Sequence, residues 1–431
     1  IDKTIRDISV HQNRLAILTD DKVSFSVSGQ PNDWWRGTTS QLLASGPIDI
    51  QSTSSAAGDL RSFVVHNNDL MVFGPYGQFR FSGQKALTPQ NAALPQASSY
   101  PSTSVARPIS AGNNVYFPTT YGVGAGLSQF SLDPQIQNLS VAKPMADKQL
   151  GLMQTDISQI LSNPNLGIVI NRVAGFGHIM YPMEFLPNVD ILKQTESTWA
   201  TWAFQWGVRI VSMRITDANL EFIGTGVQGN TQPRLYRLPL HTQKPASSLF
   251  NIVPREVFLD VRVLSEAVTT SLTLSDHYPT HPANGLGYPD RDVTIVQGPG
   301  CPAQGTVVPY TQVGNVLTFA DMGGGQVYYG YEYPSRITLP KIQTRDKAGV
   351  RMTEAKKRLN AIVVSVEGSC GVTVNFGMAQ THIGGEAVQD VRFQAKVKDD
   401  ALLTVASYGH HNMDLNQIEW TGTYYKAGRR F

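Results

Sequence analysis

Leu70-Met71-Val72-Phe73, Gly74-Pro75-Tyr76-Gly77, Gln78-Phe79-Arg80-Phe81 is the stretch whose reading decides the fold. Two short runs rich in apolar residues flank a Gly-Pro-Tyr-Gly turn, where Gly and Pro supply the backbone angles of a chain reversal, so the segment reads as a β-hairpin. Val115-Tyr116-Phe117 and Gln129-Phe130-Ser131-Leu132, joined through Gly122, Gly124 and Gly126, repeat the arrangement with a longer tip, and the Gln-Phe pair recurs. Similar hairpins fit Arg14 to Val27, Gly167 to Met183 and Val208 to Ile223. Their spacing of about 40 to 55 residues is that of propeller blades, and about five such units can be drawn. The expected fold is all-β: a β-propeller-like platform of repeated hairpin blades with additional β-domains.

Blade strands are short and buried on both faces, so they read as apolar runs such as Leu15 to Leu18 and Ile168 to Ile170. One segment departs from this. Leu150, Met153, Ile157, Ile160 and Leu161 fall at helical spacing behind Asp147 as a cap, which predicts one short helix. From about residue 240 the texture changes. His241-Thr242-Gln243-Lys244-Pro245 reads as a linker, and Val257, Leu259, Val261 and Val263 then alternate with Phe258, Asp260 and Arg262 as a half-exposed strand. Residues 277–305 are crowded with Pro and Gly and read as a long loop or projection. Near the C-terminus Val391, Phe393, Ala395 and Val397 alternate with Arg392, Gln394, Lys396 and Lys398, a two-residue period with one wet face. The expected organisation is blades over 1–240, a divergent β-rich insertion over 241–345, and C-terminal strands over 346–431 returning to the platform.

Bulk composition bounds the function. The 431 residues exceed a single average core. Charged residues make up 16%, well under the usual quarter, so partners are expected to cover part of the surface. A formal net charge of +2 argues against a tight DNA reader, which needs a basic excess to displace phosphate counterions. Cys301 and Cys370 could pair but make no disulfide framework. No apolar run approaches the length of a membrane span and no basic-then-apolar leader opens the chain, so a soluble protein is expected. Ile1 is not an initiator methionine, which suggests a piece or processed product of a longer protein.

Candidate sites fare poorly one by one. Gly224-Thr225-Gly226-Val227-Gln228-Gly229 matches a dinucleotide fingerprint, but Asn230-Thr231-Gln232-Pro233 and another strand follow where a helix must start, so it reads as a hairpin tip. His277 with His281, and His410 with His411 and Asp414, lack the three or four converging ligands zinc needs, and neighbours in a strand point to opposite faces. No Gly-x-Ser-x-Gly elbow occurs, and Cys370 reads as a packed strand residue. No cofactor, metal or catalytic residue is assigned. Two carboxylates for glycan hydrolysis remain conceivable among 33 acids. Trp34-Trp35 follows a turn, and Trp199, Trp202 and Trp206 share one apolar segment. Most should be core, and exposed ones could hold sugar or protein. Lys356-Lys357-Arg358 and Arg429-Arg430 are the dense basic clusters, candidates for phosphate or partner contact.

Taken in order, Ile5-Arg6-Asp7-Ile8, His11, Asn13-Arg14-Leu15, Val23-Ser24-Phe25-Ser26, Gly29, Asn32-Asp33-Trp34-Trp35 and Pro47-Ile48-Asp49 resemble the tail tubular protein B family, the tail nozzles of short-tailed bacteriophages of the autographivirus type. Gln78-Phe79 with Leu87-Thr88-Pro89, Val115-Tyr116-Phe117, and Thr198-Trp199-Ala200-Thr201-Trp202-Ala203-Phe204 look like that family's next segments, and Gln417-Ile418-Glu419-Trp420 with Gly422 and Tyr424, running to Arg429-Arg430, looks like its close. Residues 240 to 350 show no matching motif, and the family's N-terminal part is absent. The resemblance makes Arg14, Trp34, Trp35, Asp49, Phe79, Trp199, Trp202 and Trp420 structural family-motif residues. It implies a sixfold ring of copies in the virion tail, assembled in the host cytoplasm, a tail adaptor and tail fibres as partners, and a channel that passes double-stranded DNA without reading it. The rival reading is a glycan-binding or glycan-degrading propeller whose tryptophans stack sugars.

Overall fold

The computed structural model describes residues 4–38, 40–51, 58–102, 106–121, 124–132, 140–145, 152–175, 177, 179–184, 198–204, 208–226, 233–240, 257, 259–265, 270–274, 293–339, 356–367, 372–376, 379–383, 389–398, 402–407, 409–410 and 414–425. These residues form nine antiparallel sheets and no helix. The chain divides into two compact units, Ile1–Gln243 and Lys244–Phe431.

The first unit holds five sheets whose strands follow chain order closely. The first sheet is β1 (Asp7–His11), β2 (Arg14–Leu18), β3 (Lys22–Phe25) and β4 (Ile48–Gln51). The second is β5 (Ser62–His66), β6 (Asp69–Gly74), β7 (Gly77–Phe81) and β8 (Gln96–Ser98). The third is β9 (Ile109–Ala111), β10 (Asn114–Tyr121), β11 (Gly124–Leu132) and β12 (Ser140–Pro144). The fourth is β13 (Ile157–Asn163), β14 (Ile168–Val173) and β15 (Ile179–Glu184), with the short β16 (Thr198–Trp199) and β17 (Trp202–Ala203) both on β15. The fifth is β18 (Val208–Thr216), β19 (Asn219–Gly226) and β20 (Arg234–Pro239).

Stacking of these sheets explains the opening sequence. Every residue of β6 is buried. Leu70 and Val72 join Ala16, Leu18, Val23, Phe25, Phe63 and Phe79 in one core, whereas Met71 and Phe73 join Val64, Val115, Phe117 and Phe130 in the next. Successive side chains in a strand point to opposite faces, so a sheet sandwiched between two others needs an unbroken apolar run. Phe25 meets Phe81 edge to face at 5.0 Å, and Phe73 meets Phe117 at 5.5 Å. Gly77 has φ +150°, and a Cβ there would stand 2.3 Å from Ser98 O, so the strand can enter beside its neighbour only as glycine. Gly124 repeats this at the start of β11, with φ +156° and Met153 O at 2.3 Å.

The expected helix is corrected. Ile157, Ile160 and Leu161 lie in β13, and Leu152 and Met153 precede it without helix; Leu150 falls outside the described residues. A β-bulge between Ile157 and Gln159 inserts one extra residue. Ile157 and Ile160, three apart, are therefore both buried on one face, which imitates the i, i+3 spacing of a helix. Gly124 and Gly126, read as part of a hairpin tip, belong to β11 itself.

The second unit pairs strands out of chain order. Its strands are β21 (Asp260–Leu264), β22 (Ser271–Thr273), β23 (Thr294–Gln297), β24 (Tyr310–Val313), β25 (Val316–Phe319), β26 (Val327–Tyr331), β27 (Ser335–Thr338), β28 (Lys356–Glu367), β29 (Val372–Phe376), β30 (Ala379–Ile383), β31 (Gln389–Lys398), β32 (Leu403–Ser407) and β33 (Asp414–Tyr425). The sheets run β21-β26-β23, β22-β25-β24, β27-β32-β29-β30 and β31-β28-β33. The expected half-exposed strand is β21, flanked by buried Val257 and Leu259. β23 lies inside the stretch read as loop, because Val293, Ile295 and Val296 are a short apolar run that buries itself among Leu272, Leu317 and Tyr329 or against Val257.

Candidate functional site

The first unit is organised along the first strands of its sheets. β1 packs beside β5, β5 beside β9, β9 beside β13, and β13 beside β18. Polar side chains staple several of these junctions. Asp7 Oδ2 accepts a hydrogen bond from Phe63 N at 2.7 Å and pairs with Arg107 Nη2 at 3.2 Å. His66 Nδ1 lies 2.8 Å from Ser110 Oγ. Gln159 bonds Met213 in both directions, Nε2 donating to the carbonyl at 2.7 Å and Oε1 accepting from the amide at 3.2 Å. Arg172 Nη1 donates to Ile210 O at 3.0 Å.

At the ends of β1 and β5 sit two buried histidines, His11, which belongs to the opening motif, and His66, which no motif announces. His11 pairs across a turn with Arg14, and His66 across the equivalent turn with Asp69. Burial pushes both imidazoles below their ordinary value, outweighing Asp69 at His11, and a hydrogen bond to the Asn113 backbone together with Asp69 at His66. Both are neutral near pH 7. Asp69 itself is engaged, with Oδ1 accepting from Gly83 N at 2.6 Å and Oδ2 lying 3.7 Å from Arg80 Nη1. A cavity of about 360 Å³ opens here, lined by Val10, His11, Gln12, Val65, Asn68 and the 83–86 segment. Its titratable lining residues are His11 and Lys85, and Asp69, held by its two donors, is not part of the lining.

The long β3–β4 connection is the second organised feature. Arg14 is buried, and its guanidinium donates to Ser26 O at 2.8 Å, Gly46 O at 2.7 Å and Ala44 O at 2.9 Å, clamping both ends of the connection. Burial pushes Arg14 down from its ordinary value. Val27 N donates to Asp33 O at 2.8 Å and Asp33 Oδ1 accepts from Trp35 N at 3.0 Å, so the aromatic turn is fixed. Trp34 is half-buried, while Trp35 is 82% exposed, near exposed Leu42 and Leu43 in sequence. Asp49 on β4 receives Ser24 Oγ at 2.6 Å and Lys22 Nζ at 3.0 Å.

The remaining sequence candidates scatter. Phe79 is fully buried in the first core, and Arg14 opens β2. Trp199 and Trp202 are half-buried, opposite Met183 and Met180. Trp420 is exposed on β33. Lys356, Lys357 and Arg358 open β28 opposite Tyr425, Tyr424 and Thr423. Arg429, Arg430, Trp206, His277, His281, His411 and Cys370 fall outside the described residues. His410 is buried, its Nε2 lying 2.9 Å from Gly305 O and its Nδ1 3.7 Å from Glu332 Oε1. Cys301 is a buried free thiol whose Sγ donates to Gln326 O at 3.1 Å. Gly224, Thr225 and Gly226 of the glycine fingerprint close β19, Gly224 pairing with Arg234, and the rest of the motif lies outside the described residues. Among the described residues no three His, Cys, Asp or Glu converge as a metal site.

Residues 1–431 match the model of the family described as bacteriophage nozzle protein. No curated protein matches the chain. Among solved structures, the WD40 domain of Neurospora crassa Pan2 is similar at 9% identity and TM-score 0.31, over 54% of this chain and 64% of that one. The N-terminal domain of Nup159 is similar at 9% identity and TM-score 0.31, over 94% of this chain and 90% of that one.

Proposed function

The chain belongs to the bacteriophage nozzle protein family and is a structural component of the phage tail, and we propose that it forms a sixfold ring below the tail adaptor, encloses the channel through which double-stranded DNA leaves, and helps attach the tail fibres. The observation that supports this reading most directly is the construction of the first unit: stacked sheets stapled by part-buried polar groups, among them Asp7, Asp69 and Gln159. Such a body acts by shape. A net charge of +2 suits a conduit, because each phosphate neutralised by Lys or Arg would add affinity that retards passage. The motif order shared with tail tubular protein B of the autographivirus type fits the same role, and residues 241–345 are assigned to the nozzle tip.

Class averages of the full-length protein mixed with its adaptor should show a sixfold annulus. A persistent monomer beside assembled adaptor overturns the proposal. Double-stranded DNA should elute freely from the ring at moderate salt, and tight retention contradicts the conduit. Glycan binding has the exposed indole of Trp35 in its favour; turnover of capsule glycan that disappears with one pair of acids would establish that rival.

A further inference from the structure

The cavity at the ends of β1 and β5 is lined by a buried polar group that nothing satisfies. His11 is 4% exposed, its Nε2 is buried without a hydrogen-bond partner, and no hydrogen bond reaches Nδ1 among the described residues. His66 holds the equivalent place in the second sheet, immediately before the turn, and both of its ring nitrogens are engaged: Nδ1 lies 2.8 Å from Ser110 Oγ and Nε2 lies 3.2 Å from Asn67 Nδ2. A buried imidazole without partners keeps the full penalty of its lost hydration. The fold removes that penalty at His66 and leaves it at His11, and of the two it is His11 that lines the cavity.

The walls are held in place. Gln12 bonds the 85–87 segment in both directions, Nε2 donating to Lys85 O at 3.0 Å and Oε1 accepting from Leu87 N at 2.6 Å. Gly83 abuts the second turn so closely that a Cβ there would stand 1.9 Å from Asn68 O. Val10, Val65 and Ala86 supply apolar lining. His11, Asn68, Gln84 and Lys85 all carry hydrogen-bond donors, and no lining residue carries a carboxylate. Asp69, whose charge reaches His11, lies 3.7 Å from Arg80 Nη1 and is balanced by it, whereas Lys85 makes no ion pair among the described residues.

We propose that this cavity binds a small aliphatic carboxylate, with its hydrocarbon against Val10, Val65 and Ala86 and its oxygens accepting hydrogen bonds from Lys85 Nζ and the His11 ring. A volume of about 360 Å³ with apolar lining and a few polar groups is the build of a small-ligand site. An excess of donors and one unbalanced positive charge select an anion, because hydrogen bonds to a charged acceptor are the stronger ones. A carboxylate beside the imidazole also favours its protonated form, so ligand and proton bind together. The site lies wholly within the first unit and does not depend on the ring reading.

The test follows the histidine ring signals of isotope-labelled full-length protein by NMR, assigned through bonds to their own backbone amides. The protein is titrated with butyrate, with butyramide, and with glutamate capped at its amino and α-carboxyl groups. Butyrate should shift the His11 signals and move the His11 titration to higher pH while His66 stays unchanged. Butyramide should bind about tenfold more weakly, and Lys85→Gln, at an exposed position, should weaken butyrate about tenfold, the worth of one charge-assisted hydrogen bond. Binding of butyrate assigns the cavity to a free acid, and binding of the capped glutamate alone assigns it to an acidic side chain of a protein; both sustain the carboxylate site. His11 signals that neither acid moves at tens of millimolar show a cavity that holds water only and overturn the proposal. Equal binding of butyrate and butyramide overturns it as well, as does butyrate affinity unchanged in Lys85→Gln.

Discussion

The two units solve the same packing problem with opposite connectivity. In the first, neighbouring strands are mostly neighbours in sequence: β5, β6, β7 and β8 form one sheet in that order, and the third sheet repeats the pattern. In the second, Ser335 pairs with Ser407 and Lys356 with Tyr425, so each sheet waits for distant segments to meet. Closing a longer loop costs more chain entropy before any contact rewards it. The comparison teaches that similar antiparallel sheets can differ in how local damage spreads: locally in the first unit, across the whole unit in the second.

Removal of β33 by truncation after Met413 should have the largest effect. It strips one flank from β28, whose Ile362 and Val364 are fully buried, and limited proteolysis should digest the second unit while fragments of the first survive. Equal loss of both units would break the comparison. Phe79→Ala should cost about 3–5 kcal/mol, the range for emptying an aromatic site in a core, and should appear in urea unfolding of the first unit alone. Arg14→Leu should cost about 3 kcal/mol by leaving carbonyls at 26, 44 and 46 without their charged donor, and should expose the 26–47 connection to protease before any strand.

The smallest effect is that of pH. The folded imidazoles of His11 and His66 are less basic than the ordinary value of 6.5, so below that pH the unfolded chain binds more protons than the folded one. Their contribution is complete above pH 6.5 and declines as pH falls from there through the lower folded values. The melting temperature of the first unit should drop between pH 7.5 and 5, and His66→Asn should flatten the drop. An unchanged slope would place the acid sensitivity elsewhere.

The difference between the units also sets what the sequence discloses. Hairpins of the first unit are legible because strand, turn and strand are contiguous, and the Gln-Phe repeat falls on the third strands of two sheets, as Gln78-Phe79 and Gln129-Phe130. A second repeat passes unread: Gln12-Asn13, Asn67-Asn68, Gly112-Asn113 and Asp217-Ala218 each join the first strand of a sheet to the next. Positive φ at Gln12, Asn13, Asn67, Asn68, Gly112 and Asp217 explains the preference for Asn, Asp and Gly there. That repeat would have found His11 and His66, which stand immediately before two of the turns. The bulge in β13 hides from periodicity because one inserted residue turns a period of two into an apparent three. In the second unit no contiguous window contains both partners of β28, so its sheets could be expected only as isolated strands.

The staples between first strands carry a mechanical consequence. Within a sheet, ladders of backbone bonds resist deformation together, whereas the side-chain bonds at a junction are few, such as the paired bonds of Gln159 with Met213 or the single bond of Asp7 to Phe63. Stiff tiles joined by compliant seams bend at the seams. Under internal load the first unit should yield by small rotations of whole sheets about their first strands, keeping every strand register intact and springing back when the load passes.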